Sequence, residues 1–192
     1  MNKKDLTKEL LANCFKDLVL ARPFDKITIK TITDRAGLIR PTFYKHFQDK
    51  YEVLEWIFQT EAIDPAYELL KENKIYEAGV SFCRAIEDNR AFYRKVLKTT
   101  GPNSFPEILH NRIYTAFMEF AEQIDFHIER KLPYLTKTRI ARFYARGLSG
   151  LILDWLAEDS GVDAVSLFDA YRYLMVNSAV DLVINQFPDP DD

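Results

Sequence analysis

Glycine is scarce in this chain, with six in 192 residues, and alternating β-branched runs are few. Both features argue against a sheet protein. Cysteine is scarcer still. Cys14 and Cys83 form no C-x-x-C pair and no metal-ligand cluster, and each falls on an apolar helical face. They read as small buried apolar residues of a reducing compartment. The three histidines, His46, His110 and His127, lie far apart, and none has a companion at H-x-x-x-H spacing. Glycine-rich phosphate loops and nucleophile elbows are absent. Asp125 and Glu129 are an i, i+4 carboxylate pair without a third partner, so they read as a solvated helix face. No stretch reaches 18 uncharged apolar residues, and the start of the chain lacks a secretory apolar region. The expectation is a soluble, cytoplasmic protein with no membrane partner. The expectation extends to no catalytic residues, no metal and no cofactor, in a protein that is not an enzyme.

Apolar residues, by contrast, make up 47% of the chain and aromatics 14%, enough for a substantial core. The length allows one compact unit or two small ones. The net charge of −3 hides an asymmetry. Residues 1–50 hold eleven Lys and Arg against six Asp and Glu, a net of +5. The remainder holds 15 basic and 23 acidic residues, a net of −8. A basic segment on an acidic body suits a head that binds a polyanion and a body that stays off it. No internal repeat or low-complexity linker interrupts the chain.

The stretch from Thr28 to Phe47 reads as two short helices joined by a tight turn. The Thr28 hydroxyl can cap the first helix. Ile29, Ile32 and Ala36 share one helical face. Gly37 follows the last periodic residue, where a left-handed conformation ends a helix. Pro41 sits near the start of the second helix, where its missing N–H costs nothing. Phe43 and Phe47 mark that helix's inner face, with Leu38 packing from the turn. Arg40, Thr42, Tyr44, Lys45 and His46 take the outer face, a surface suited to reading a DNA groove.

These residues carry a family resemblance. Phe24, Thr28, Ile32, Ala36, Gly37, Leu38, Thr42, Phe43, Tyr44, His46, Phe47 and Lys50 stand without a gap in the pattern of the TetR family of bacterial transcriptional regulators. Residues 6–58 resemble that family's DNA-binding domain; beyond about residue 60 the likeness is one of helical layout. Two departures stand out. Ile39 occupies the turn position where the family often has a polar residue, so the recognition helix loses a side-chain cap. Arg22-Pro23 replaces the usual glycine after the first helix, and proline stops a helix as firmly.

The rest of the chain reads as helices. Leu6, Leu10, Leu11, Cys14, Phe15, Leu18 and Val19 form the stripe of the first, and Phe24 and Ile27 close its connection. Asp49 with Glu52 makes a capping box for a fourth helix, with Val53, Leu54, Ile57 and Phe58 inward. Asp64-Pro65 signals a fresh start. A helix from about Lys74 carries Val80, Phe82, Cys83 and Ile86. Asp88 can cap the next, which Gly101-Pro102 ends. Ser104-Phe-Pro-Glu107 is a capping box opening a helix to about Lys131. Two long helices follow, about Lys137 to Ala157 and Ala164 to Phe187, before a frayed tail. In the first, Gly147 and Gly150 would admit a close neighbour. The expectation is an all-α fold of about nine helices: a helix-turn-helix DNA-binding domain over residues 1–48 and a helical regulatory and dimerisation domain over 49–192.

The resemblance implies a ligand-responsive, sequence-specific transcriptional regulator, a repressor that a small-molecule inducer releases from a double-stranded DNA operator. Arg40 is the first candidate for base readout, because a guanidinium spans guanine O6 and N7. Thr42 can touch a thymine methyl, Pro41 can add an apolar contact, and Lys45 can serve base or phosphate. Tyr44 and His46 match family phosphate contacts. Thr28 and Lys50 bracket the domain with two more, Lys50 at a helix N-terminus that already favours an anion. The family layout also implies a homodimer through the last two helices, hence a palindromic operator. It implies a small-molecule pocket among the middle helices too, with Phe82, Phe92, Phe117 and Phe143 as wall candidates, and makes the fourth helix the lever between ligand and DNA. Two rivals remain at this point. One is a helical interaction or architectural protein without a small-molecule effector, which would show no sequence preference. The other is a helical enzyme, which would need a copurifying metal or cofactor.

Overall fold

The computed structural model describes residues 3–123 and 132–177. Every regular element among them is helical. The elements are α1 (Lys3–Ala21), a 3-10 turn (Phe24–Lys26), α2 (Ile29–Ala36), α3 (Arg40–Tyr44), α4 (Lys50–Phe58), a π segment (Gln59–Ile63) and α5 (Asp64–Lys71). They continue with α6 (Ile75–Asp88), α7 (Arg90–Val96), α8 (Phe105–Gln123), α9 (Lys137–Ala157) and α10 (Ala164–Val176).

α5 starts at Asp64 with Pro65 in its first turn, where the Asp64-Pro65 signal places a start, but Asp64 does not cap it and no break precedes it. The π segment joins α4 to α5 without a break, and Ile63 at the junction keeps helical dihedrals. Proline's ring clashes with the carbonyl four residues back in a regular α-helix. A wider π turn just upstream lets the chain carry Pro65 and remain helical. The run from Lys50 to Lys71 is therefore one rod, and with it the described residues make nine helical rods.

Caps differ in detail from the sequence expectation. Asp49 caps α4 by accepting from the Tyr51 and Glu52 amides at 2.8 and 2.9 Å. Glu52 reaches back one residue further than a standard capping box, to the Gln48 N–H. Asn89, not Asp88, precedes α7, and its side-chain amide donates backward to the Ala85 carbonyl at 3.2 Å. At the start of α8 the Phe105 amide donates to Thr99 Oγ1 at 2.9 Å. The last helix is shorter than expected. Asn177 is extended at φ −114° and ψ 133°, so α10 closes at Val176. The expected continuation to Phe187, the frayed tail, and the end of α8 toward Lys131 lie outside the described residues.

One continuous apolar core runs through the molecule. Its axis is a chain of rings. Phe15 of α1 meets Phe24 and Phe92 edge-on, with centroids 6.0 and 6.4 Å apart. Phe92 meets Tyr93 at 5.2 Å, and Phe58 of α4 meets Phe82, Tyr93 and Phe105 edge-on between 5.5 and 6.0 Å. Edge-to-face aromatic pairs add to the area they bury. This chain ties α1 and α4 to α6, α7 and α8. Cys14 and Cys83 are both free and buried. Desolvation raises both thiols, Cys83 to about 12.

Candidate DNA interface and effector cavity

The turn between α2 and α3 follows from three local choices. Thr28 caps α2 reciprocally with Thr31. The Thr31 amide donates to Thr28 Oγ1 at 3.2 Å, and the Thr28 amide to Thr31 Oγ1 at 3.0 Å. Gly37 ends α2 at φ +66°, where its N–H and that of Leu38 close on the Asp34 and Thr33 carbonyls. A Cβ at Gly37 would meet no atom within 4 Å, so its backbone conformation, not crowding, calls for glycine. Ile39 precedes α3 without a side-chain cap, and the Ile39 carbonyl accepts from Thr42 and Phe43 at 2.9 and 3.4 Å. Pro41 in the first turn removes an amide that would otherwise be orphaned.

Only the inner face of α3 is anchored. Phe43 and Phe47 are buried, and Phe47 meets Trp56 of α4 edge-on at 6.0 Å. The opposite face is open. Arg40, Pro41, Tyr44 and Lys45 are exposed, and Thr42 and His46 are half-buried. Ile39 is 67% exposed beside Arg40, a large apolar side chain on a face otherwise cationic and hydroxylic. Its exposure was not legible in the sequence, where apolar character argues for burial. Other basic residues of the segment are occupied. Arg35 bonds Asp17 of α1 at 2.7 Å, and Lys30 pairs with Asp34 on its own helix. Among the described residues, Arg40 and Lys45 have no ion pair.

Lys50 differs from its expected environment. Its ammonium donates to the Phe24 and Ile27 carbonyls at 2.8 and 3.2 Å and lies 4.3 Å above the Phe24 ring. It pins the 3-10 turn that leads into α2. Burial lowers its pKa, opposed by the nearby charges of Asp25 and Asp49. An ammonium has three protons, so these two bonds leave one for a ligand. Thr28, spent on its cap, is exposed at the far end of α2.

In the body, a cavity of about 180 Å³ opens between α5, α6, α8 and α10. Phe82 and Phe117 line it, with Ala66, Ala116, Phe168 and Tyr171 among the other walls. Phe168 presses so closely on Gly79 that a Cβ there would fall 1.9 Å from its ring. The other two wall candidates lie elsewhere. Phe92 is 2% exposed and spends its ring on Phe15 and Tyr93, because α7 packs against α1. Phe143 is 71% exposed, because α9 turns Ala141, Ala145 and Leu148 inward and position 143 falls on the other side. Periodicity marks a helix's apolar stripe but not which neighbour it faces.

The sequence reading missed Arg112 at this cavity. It is the one charged side chain among the described lining residues, and its Nη2 donates to Glu55 Oε1 of α4 at 2.5 Å. No sequence signal joins residues 57 apart. Among the described residues no cluster of three or more His, Cys, Asp or Glu could hold a metal. Among them, no helix is long and apolar enough to cross a membrane.

Comparison with known proteins agrees with this geometry. The model of bacterial regulatory proteins of the tetR family matches residues 16–57. A model of a transcriptional regulator C-terminal region matches residues 73–175, more than half of the chain. The HTH-type dhaKLM operon transcriptional activator DhaS of Lactococcus lactis subsp. lactis (strain IL1403) is 31% identical over 100 residues, covering 50% of this chain and 51% of that protein. The match thus spans about half the length of that relative. Among solved structures, the dihydroxyacetone kinase operon activator DhaS superposes with a TM-score of 0.61 at 22% identity, over 88% of this chain and 93% of that one. The Thermus thermophilus repressor FadR, in complex with lauroyl-CoA, gives 0.60 at 16% identity, over 95% and 98%. At these identities the structures speak for the fold. Taken with the matched helix-turn-helix and body, they make this chain a member of the TetR family of DNA-binding transcriptional regulators.

Proposed function

We propose that this TetR-family protein is a ligand-responsive regulator that binds a two-fold symmetric operator as a homodimer. The observation that carries the reading is the outer face of α3: Arg40 and Lys45 without ion pairs among the described residues and Tyr44 59% exposed, over a buried Phe43–Phe47 anchor. Arg40 reads a guanine, and Pro41, Thr42 and Ile39 supply apolar contacts to thymine methyls. Lys45 contacts a base or a phosphate. Tyr44, His46, Thr28 and the remaining proton of Lys50 hold phosphates, which fix register without specifying sequence. Residues 1–48 act as the DNA-binding domain and 49–192 as the regulatory and dimerisation domain.

A single α3 makes too few contacts for selective binding. A dimer through α9 and the last helix sets two such helices about one DNA turn, or a multiple, apart. Phe143, Tyr173, Leu174 and Val176, at 71, 58, 49 and 81% exposed, supply apolar surface on α9 and α10 for that contact. The cavity holds the effector, and the rod from Lys50 to Lys71 lines it at its α5 end and supports α3 at the other. An effector that binds one rod position better shifts DNA affinity by mass action.

Repression relieved by an inducer is the first reading of the sign. The curated relative DhaS is named a transcriptional activator, which supports activation as the second. Selection of bound sites from randomised duplex DNA, at near-physiological salt, tests the core of this proposal. Enrichment of a two-fold symmetric sequence is expected. Salt-erased binding with no enriched motif would leave only nonspecific electrostatics and favour an architectural protein. Transcription from a promoter bearing the enriched site then decides the sign.

A further inference from the structure

We infer that the cavity takes a small anionic amphiphile, an apolar tail with one carboxylate-like head, and that the head draws Arg112 away from Glu55. The inference rests on the cavity being the effector site. It adds the ligand's chemical class and the contact through which binding reaches α4.

The tail follows from the walls. Apart from Arg112, the described lining residues are aliphatic or aromatic, with one methionine and one glycine, and their polar tips are the Tyr67 and Tyr171 hydroxyls. One polar tip among them is already engaged: the Tyr171 hydroxyl donates to the Tyr144 carbonyl at 3.0 Å. A dry apolar cavity of about 150 Å³ takes up a benzene-sized molecule. By that measure this cavity accepts a tail of roughly six to eight carbon atoms.

The head follows from Arg112. A guanidinium presents five N–H groups in a planar fork that matches a carboxylate. Its bond to Glu55 uses Nη2. The pair is part-exposed, with side-chain exposures of 37 and 43%, so it is a contact that an entering anion can exchange without stranding a buried charge. A cationic head would meet Arg112 as a like charge. A neutral ligand would leave the Arg112–Glu55 bond in place and with it this link to α4. Glu55 lies on the same short helix as Trp56, which packs on Phe47 beneath the recognition helix. The exchange at Arg112 therefore acts on the element that supports the DNA-binding face.

Calorimetric titration of the full chain with octanoate, octan-1-ol and octylammonium tests the assignment. Octanoate is expected to bind at least about tenfold more tightly than octan-1-ol, the value of one charge-assisted hydrogen bond. In Arg112→Gln that ratio falls toward one. In Glu55→Gln, an isosteric change at a part-exposed site, octanoate binds severalfold more tightly because its competitor is gone. Equal binding of octanoate and octan-1-ol in the native chain overturns the anionic head while leaving the cavity as an effector site. Preference for octylammonium overturns it likewise. Binding of none of the three probes overturns both the ligand class and the cavity's effector role.

Discussion

The Lys16 ammonium of α1 donates to both carboxylate oxygens of Glu61, at 2.8 and 2.9 Å, and to Asn89 Oδ1 at 2.7 Å. Glu61 belongs to the π segment, and Asn89 precedes α7. One side chain of the first helix thus joins the rod that follows the helix-turn-helix to the body. The side chains are 19 and 32% exposed, between the surface pairs that contribute little and the buried pairs whose rupture is costly. Lys16→Met, which keeps the aliphatic stem, is expected to destabilise the protein by about 2 kcal/mol. Urea unfolding measures it, and a double-mutant cycle with Glu61→Gln isolates the pair. A coupling near zero would mean that Asn89 and the Phe92 ring, whose centroid lies 5.7 Å from the Lys16 ammonium, hold Lys16 without Glu61.

Arg40→Ala is expected to weaken binding to the selected operator by about 1–3 kcal/mol and to relax one base position per half-site. Repeating the site selection with the variant reads both effects. An unchanged site preference would return Arg40 to a phosphate role.

Lys50 holds the turn before α2, so Lys50→Ala should cost stability as well as affinity. A hydrogen bond from a charged group is worth about 1.5–3 kcal/mol, so losing two at a half-buried site should cost at least about 2 kcal/mol. If its third proton also meets a phosphate, affinity falls equally on all sequences and the salt slope drops by about 0.9. Lower stability with an unchanged slope would leave Lys50 as a structural pin alone.

Cys83 supplies a pH dependence with a defined sign. Burial raises its thiol from 9.0 to about 12. A group with a raised folded-state pKa contributes stability in full below its unfolded value and loses it as pH rises toward the folded one. The native chain should therefore lose stability more steeply between pH 9 and pH 12 than Cys83→Ala does. Denaturant midpoints across that range measure the difference. Iodoacetamide should label Cys83 at neutral pH only when the chain unfolds; rapid labelling of the native protein would contradict the burial argument.

Phe143 tests the dimer. Phe143→Asp places a charge on an exposed apolar face of α9 and should shift the protein toward monomer and weaken operator binding. Light scattering after size exclusion reads the mass. An unchanged dimer would move the interface away from this face of α9.

The parts legible in the sequence were those set by neighbours along the chain. Caps, a left-handed glycine and apolar spacing act within a few residues, so Thr28, Gly37 and Asp49 fixed the ends of their helices before any packing was known. The family motif spans contiguous residues for the same reason. Tertiary structure decided which helix faces which. It sent Phe92 to α1 and Phe143 to solvent while bringing Phe82 and Phe117 to one cavity. It turned the Lys50 ammonium inward onto two carbonyls. It also let a π turn join α4 to α5 without a break, where the local Asp64-Pro65 signal marked a fresh start. Above all it paired Arg112 with Glu55, a contact no spacing encodes. The physical reason is one of range: capping and periodicity are local, whereas burial and ion pairing depend on the whole packed chain.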